Sequence, residues 1–355
     1  LAMHLIHGGD VYSARQKMKQ EPLDFSANIN PMGMPPGAVR AAADALQQCT
    51  QYPDPLCREL RAALAAYEGI PAEQIVCGNG AADLIFRIVA ATHPQRALLL
   101  EPTFAEYEQA LRSMDCSIAY FPLQESEGFV LPEAFLQQLT PEINLLFLCN
   151  PNNPTGRTVS PALLQEIWKR CEEAGILLVV DECFNEFLEH PEQNTLKGVL
   201  KTGANAVILK AFTKSFAMPG LRLGYGLCGN RDLAERIFSC GQPWGVSIPA
   251  QAAGVAALQE QGYLERMRRL IQTERRWLSE NLARLGLCVF PSEANYILFR
   301  TETEISLRER MEQRGVLIRA CGNYRGLDDR YYRIAVRGHD ENERLIAALK
   351  CALEE

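Results

Sequence analysis

Apolar residues fall along this chain in short unbroken runs, separated by longer stretches in which apolar and polar positions mix with helical spacing. Runs at 75–77, 97–100, 143–149, 176–180, 205–209 and 223–228 show no polar alternation, as strands do when both faces of a sheet are covered. Most are separated by helix-like segments with a period of about 3.6 residues. The pattern predicts an α/β fold with a mainly parallel, helix-covered sheet. Two amphipathic helices are expected ahead of it, at 37–49 and 55–67. They are separated by TQYPDP, whose prolines stop one helix and start the next and leave Tyr52 exposed on the turn. The charged stretch 262–285 suits a helix joining two domains. Short strands at 287–289, 295–299, 316–318 and 331–336, with helices near 305–313 and 340–353, then suit a smaller α+β domain. Residues 1–34 carry HGGD and FSANINPMGMP, a Gly, Asn and Pro content that predicts an extended arm with little helix. The expected division is an arm at 1–34 belonging to the small domain, a large domain at 35–244, and an interdomain helix with a small domain at 245–355.

Composition narrows the function without naming it. With 355 residues, 47% hydrophobic and 22% charged, the chain reads as an ordinary globular protein with a large core. A net charge of −7 argues against sequence-independent nucleic-acid binding, so its arginines and lysines are read locally, as ligands for small anions. Twelve cysteines without a CxxC pair or a cysteine–histidine cluster predict buried reduced thiols and no metal site. The aliphatic runs are too short to span a bilayer, and no basic segment precedes an apolar one at the start, so a cytoplasmic protein with no membrane contact is expected.

The candidate chemistry lies after the strands. AFTKSFAMPGLRLGY at 211–225 follows the run at 205–209 and puts Thr213, Lys214 and Arg222 on one loop. Ligands of open α/β sheets collect at the carboxyl ends of strands. An amine with a guanidinium eight residues later suits pyridoxal phosphate, whose aldehyde takes a lysine amine and whose phosphate takes cations, hydroxyls and backbone N–H groups. Four other strand ends bring suitable partners. CGNGAADLIF places Gly80, Ala81 and Ala82 at a helix start, where free N–H groups bind phosphate. EPTFAEYEQ offers Phe104 for stacking on a flat ring, and CNPNNPTGR is a rigid turn that can aim an amide. ILLVVDECFNEF ends its strand on Asp181, placed to keep a pyridine nitrogen protonated, while Glu182 points to the other face.

The order GNGAAD, EPTF, NPNNPTG, DECF, TKSFAMPGLRLGY resembles the fold type I pyridoxal phosphate enzymes of the aspartate aminotransferase superfamily, over nearly the whole chain. The resemblance implies Lys214 as the Schiff-base lysine, Asp181 as the ring-nitrogen partner, Asn153 as the ring-hydroxyl ligand and Phe104 as the stacking ring. It implies Thr213, Arg222 and Gly80 to Ala82 as phosphate ligands, Tyr52 as the tyrosine lent to a partner subunit in a homodimer with shared sites, and Arg333 as the substrate-carboxylate arginine. Within the superfamily, HGGDVYSA, LDFSANINPMGMP and IRACGNYRGLDDRYYRIAVR are similar to the threonine-phosphate decarboxylases of cobalamin biosynthesis. They fit the related histidinol-phosphate aminotransferases less well, and Phe184 stands where the latter commonly carry a tyrosine. The implied substrate is a small phosphorylated amino acid, with Arg319, Arg333, Asn153, His7, Asn30 and Arg337 as its candidate ligands. Arg337 is included because strand alternation would set it on one face with Arg333. A pyridoxal-fold regulatory protein without turnover is the remaining alternative, against which no spare segment or basic patch for DNA is present.

Overall fold

The computed structural model describes residues 8–18, 21–302 and 304–354. Among these described residues the strands are, in chain order, β1 (Leu23–Asp24), β2 (Ile75–Gly78), β3 (Arg96–Glu101), β4 (Ser117–Pro122), β5 (Leu145–Cys149), β6 (Leu177–Asp181), β7 (Ala206–Ala211), β8 (Gly224–Cys228), β9 (Cys288–Val289), β10 (Tyr296–Arg300), β11 (Val316–Leu317), β12 (Arg319–Ala320) and β13 (Tyr331–Ala335). Seven of them form one sheet in the order β2-β8-β7-β6-β5-β3-β4. All are parallel except β8, which runs against both neighbours. Every residue of β5, β6 and β7 is buried, which is why their sequences are runs of Leu, Val, Ile, Phe, Cys and Ala that admit a polar residue only near the carboxyl end, at Asp181 and Lys210. The reversal of β8 has a local cause. Only the short helix Phe212–Ser215 and a turn join β7 to β8, so the chain returns along the same edge and both ends of the connection stay at the carboxyl end of β7.

A second, antiparallel sheet has the order β12-β13-β10-β9, and a helix of 22 residues, Tyr263–Arg284, precedes it. The arm is tied to this region. β1 pairs in parallel with β11, with Leu23 opposite Val316. Phe25, with no exposed surface, continues the tie by donating its N–H to Leu317 and accepting from the Ala335 N–H, each at 2.8 Å. Burying that ring contributes about 1.5–3 kcal/mol, enough to anchor the arm where it passes from the small sheet to the cavity.

Two elements differ from the sequence reading. The arm carries a helix at Val11–Met18, where little helix was expected. The Asp10 carboxylate accepts the Ser13 backbone N–H at 3.1 Å, a local N-terminal cap, and Ala14 is buried, so a tertiary contact adds to the cap. β4 was not foreseen because it lies at the sheet edge, where none of its residues is fully buried. Among the described residues no helix is long and apolar enough to cross a membrane.

Candidate active site

Strand ends, the arm and the small sheet enclose a cavity of ≈ 250 Å³. One end is built for an anion. The helix Gly80–Thr92 begins there, directly after β2, and its first N–H groups have no partner within the helix. Two glycines allow the approach. At Gly80, where φ is +81°, a Cβ would stand 2.7 Å from an Arg222 guanidinium nitrogen; at Gly224 it would stand 2.5 Å from the Ala81 nitrogen. The bare backbone therefore lets Arg222 lie against the helix start and lets β8 pack onto it. Arg222 donates to the Pro219 carbonyl at 3.3 Å, while Ala81, Ala82, Thr213 and Lys214 also line the cavity.

Asp181 closes the other side of this cradle. It ends β6 almost fully buried, its Oδ2 accepting the Tyr107 hydroxyl at 2.7 Å and its Oδ1 the Cys183 N–H at 3.0 Å. Two fixed donors orient the carboxylate. Tyr107 is held by stacking on Phe147 at 4.8 Å, and Phe104, which lines the cavity, meets Tyr107 edge-on at 5.6 Å. Glu182 turns to the opposite face, accepting from the Thr195 hydroxyl at 2.8 Å and the Leu196 N–H at 3.1 Å.

Lys214 has its ammonium 5.8 Å from the Phe184 ring centroid. Burial, with the charges of Arg333 and Arg222 nearby, lowers its pKa to about 8, so about a tenth is neutral amine at pH 7, far more than for an ordinary lysine.

The small sheet contributes two arginines in direct register. Arg319 of β12 is the cross-strand partner of Arg333 of β13, both are nearly buried at 9% and 5% exposure, and both line the cavity. Arg333 donates to Asn153 Oδ1 and, at 3.0 Å, to the Ser26 carbonyl; Arg319 donates to Asn323 at 2.8 Å. Like charges directly opposite each other on a sheet are unfavourable, and more so when buried. An anion bound beside them in the cavity would lower that cost. Asn153 sits on a turn braced by Asn152, whose side chain donates to the Pro102 carbonyl at 3.0 Å and whose carbonyl accepts from Tyr296 at 2.8 Å.

Of the sequence candidates, Ala81, Ala82, Phe104, Asn153, Asp181, Thr213, Lys214, Arg222, Arg319 and Arg333 line this one cavity, with Gly80 directly behind Arg222. Three others lie elsewhere. Asn30 is a brace beneath the lysine: its amide donates to the Ser215 carbonyl at 2.7 Å and to Tyr263 at 2.9 Å, and its N–H to the Lys214 carbonyl at 3.1 Å. Arg337 lies beyond the end of β13, so the alternation that paired it with Arg333 does not reach it. It bonds the Asp24 carbonyl at 2.9 Å and Glu341 at 2.7 Å instead. Tyr52 is 76% exposed and stacks on Trp244 at 4.5 Å. His7 lies outside the described residues. Sequence reasoning missed Asn28, Glu106 and Tyr324 in the cavity wall and Tyr107 behind Asp181. Glu106 and Tyr107 belong to the same EPTFAEYEQ segment as Phe104, and the helical spacing of Phe104 and Tyr107 was the available signal.

An α/β sheet with a lysine, an aspartate and an anion cradle at its strand ends defines a class of enzyme, and the chain matches the model of the family "Aminotransferase class I and II" over residues 20–349. It belongs to that family. It is 41% identical to the threonine-phosphate decarboxylase of Salmonella typhimurium, across 98% of this chain and 96% of that protein. Its fold is similar to the histidinol-phosphate aminotransferase of Clostridium acetobutylicum, with a TM-score of 0.87 and 29% identity, covering 93% of this chain and 99% of that one. It is also similar to the L-threonine-O-3-phosphate decarboxylase of Porphyromonas gingivalis, with a TM-score of 0.82 and 27% identity, covering 94% and 99%. Both activities therefore occur on this backbone, and fold alone does not separate them.

Proposed function

We propose that this protein is a pyridoxal phosphate-dependent decarboxylase. It converts L-threonine O-3-phosphate to (R)-1-aminopropan-2-ol phosphate and carbon dioxide, a step in cobalamin biosynthesis. The observation that carries the substrate is the buried Arg319–Arg333 pair facing Lys214 across one cavity, two guanidiniums for a small molecule with two anionic groups. The similarity to the Salmonella typhimurium enzyme supports the same reading.

The residues fit the cofactor. Arg222, Thr213 and the N–H groups at Gly80 to Ala82 would hold its phosphate, Lys214 its aldehyde carbon, Asp181 its ring nitrogen, Asn153 its ring hydroxyl, and Phe104 would lie against its ring. When bound, pyridoxal phosphate supplies an electron-accepting ring that weakens a bond at the substrate α-carbon. The chain decides which bond. Arg319 and Arg333 would pin the phosphate and carboxylate and so fix which bond at the α-carbon is presented for cleavage. Asp181 would keep the ring nitrogen protonated, and Lys214, its pKa lowered to about 8, would return a proton to the α-carbon after carbon dioxide departs. Phe184 lines the cavity without a hydroxyl that could compete for that proton.

A homodimer is part of this reading, with Tyr52 lent to the partner's cofactor phosphate, an assignment supported by its exposure and its absence from its own cavity wall. A reducing, cytoplasmic setting belongs to it as well, supported by twelve cysteines that all stand as free thiols, eight of them buried. Histidinol-phosphate transamination is the second reading, favoured by the fold similarity to that enzyme. The deciding experiment supplies L-threonine O-3-phosphate without any keto acid. Carbon dioxide and the phosphate ester are expected in equal amounts; activity that requires 2-oxoglutarate and yields glutamate would establish the aminotransferase instead.

A further inference from the structure

One carboxylate in the cavity wall is at odds with an anionic substrate. Glu106, near the start of the helix Ala105–Arg112, lines the same space as Lys214, Arg319 and Arg333. The roles of cofactor holding, substrate pinning and proton return leave it unassigned. An ionised carboxylate there repels the phosphate and carboxylate that the arginines attract, unless it is neutral when they arrive.

We propose that Glu106 is a specificity-determining residue that binds the substrate as a neutral acid, taking up a proton as the phosphorylated substrate enters and donating a hydrogen bond to one of its anionic oxygens. The inference rests on the phosphorylated-substrate reading. The charged groups that share the cavity wall with Glu106 are Lys214 and Arg222 from the connection after β7, Asp181 from β6, Arg319 from β12 and Arg333 from β13, together with the Tyr324 phenol. Burial raises the Glu106 pKa, its own backbone N–H together with Lys214 and Arg319 opposes the rise, and Asp181 adds to it, giving about 7. Glu106 therefore changes charge in the working range. A substrate bearing two more anionic groups raises its pKa further, because like charge disfavours the ionised form. Bound as an acid, it gives the substrate a donor that complements the arginines; as a carboxylate it excludes anions that cannot drive the protonation.

Linkage sets the sign of the pH dependence. Below about 7 Glu106 is already protonated in the free enzyme and binding takes up no proton through it. Above that value the proton must come with the substrate, so affinity falls by up to about tenfold per pH unit until the pKa of the complex is reached. Glu106→Gln keeps the size and a donor but cannot titrate, whereas Glu106→Asp keeps the titration. The test is calorimetric binding of (R)-1-aminopropan-2-ol phosphate to the pyridoxal phosphate-loaded enzyme at pH 8. It is run in two buffers of different ionisation enthalpy and repeated from pH 6.5 to 8.5. Visible cofactor absorbance confirms that each variant is loaded.

The wild type is expected to take up up to one proton more than Glu106→Gln. Its affinity should fall with pH more steeply than that of the variant, with Glu106→Asp following the wild type. Because the ligand's own phosphate and amine titrate equally in all three proteins, only the difference between them reports on Glu106. Equal proton uptake and parallel pH curves in wild type and Glu106→Gln overturn the proposal while leaving the decarboxylase reading standing. So does an affinity lowered more than tenfold by Glu106→Gln at every pH, because the carboxylate form would then be the binding form. Failure of the loaded wild type to bind the phosphate ester at all overturns the reading on which the proposal rests, a result distinguishable from the other two.

Discussion

Lys210 and Lys214 stand four residues apart at the end of β7 and in the helix after it, yet their surroundings are opposite. Lys210 lies 6% exposed among carboxylates, 2.9 Å from Glu186 and 3.6 Å from Glu68, and Glu68 is further bound by Lys197 at 2.9 Å and by the Tyr225 hydroxyl at 2.6 Å. Burial alone would lower its pKa, but Glu186 and Glu68 outweigh it and hold the ammonium charged well above the usual range. Lys214 meets Arg333 and Arg222 instead, and with burial acting in the same direction its pKa falls to about 8. The chain satisfies one buried lysine with carboxylates and, four residues away, sets another in a cavity where burial, Arg333 and Arg222 outweigh the opposing Glu106. A buried cation beside arginines costs stability, and in the proposed function that cost accompanies a chemical rather than a structural role.

The comparison breaks most readily at Lys214. Lys214→Ala is expected to lower turnover by about 10⁴-fold or more, since in the proposed function the residue both anchors the cofactor and moves the proton. The protein reconstituted with pyridoxal phosphate should also lose the yellow absorbance of the lysine-linked cofactor. Thermal unfolding of the cofactor-free variant should show stability equal to or above that of the wild type, because a desolvated cation beside Arg333 has been removed. Retention of full turnover would refute the assignment, and a large loss of stability would show that the two lysines are alike after all.

Lys210→Met should invert this result. Removing the ammonium leaves Glu186 without its ion-pair partner and Glu68 with Lys197 alone, and breaking such a cluster costs up to about 3–5 kcal/mol. Denaturant unfolding measures it, and a double variant with Glu68→Gln should recover part of the loss. A cost below about 1 kcal/mol would mean that the cluster is solvated and the contrast with Lys214 only apparent.

How much of this the sequence displays depends on the range of the interaction. The buried strands β5, β6 and β7 are legible because burial on both faces writes itself as apolar runs that admit a polar residue only near the carboxyl end. Lys214 and Asp181 are legible for the same reason, being polar residues at or just past the point where those runs stop. The opposition of Arg319 and Arg333 needs the β12–β13 register, and the Tyr107 bond to Asp181 spans 74 positions, so neither has a local signature. The misreading of Arg337 has the same origin. Alternation holds only while the strand lasts, and β13 ends at Ala335, whose N–H is taken by Phe25 of the arm. The two lysines show the limit most sharply. Both lie in LKAFTKSF, and nothing within that segment says that one will find Glu68 and Glu186 and the other Arg333.

The smallest expected effect tests whether the two lysine environments also differ in how many chains complete them. The Lys210 cluster is complete within one chain, its partners being Glu68, Glu186, Lys197 and Tyr225 of the same molecule. The cavity around Lys214, in the proposed homodimer, borrows the Tyr52 hydroxyl from the partner. Tyr52 is 76% exposed and stacked on an exposed Trp244, so Tyr52→Phe should leave the fold and the Lys210 cluster unchanged. It removes one hydrogen bond to a charged phosphate, worth about 1.5–3 kcal/mol, and cofactor affinity should fall about 10-fold to 150-fold. Mixed dimers decide which chain supplies the hydroxyl. One chain carries Tyr52→Phe with Lys214 intact, and the other carries Lys214→Ala with Tyr52 intact. If the hydroxyl crosses the interface, the intact Tyr52 serves the intact Lys214, and half of the sites should bind cofactor with wild-type affinity and turn over normally. If Tyr52 serves its own chain, the site with Lys214 lacks the hydroxyl and every site is defective. Normal half-site activity thus requires donation between chains, and its absence, or an active monomer in sedimentation, rejects it.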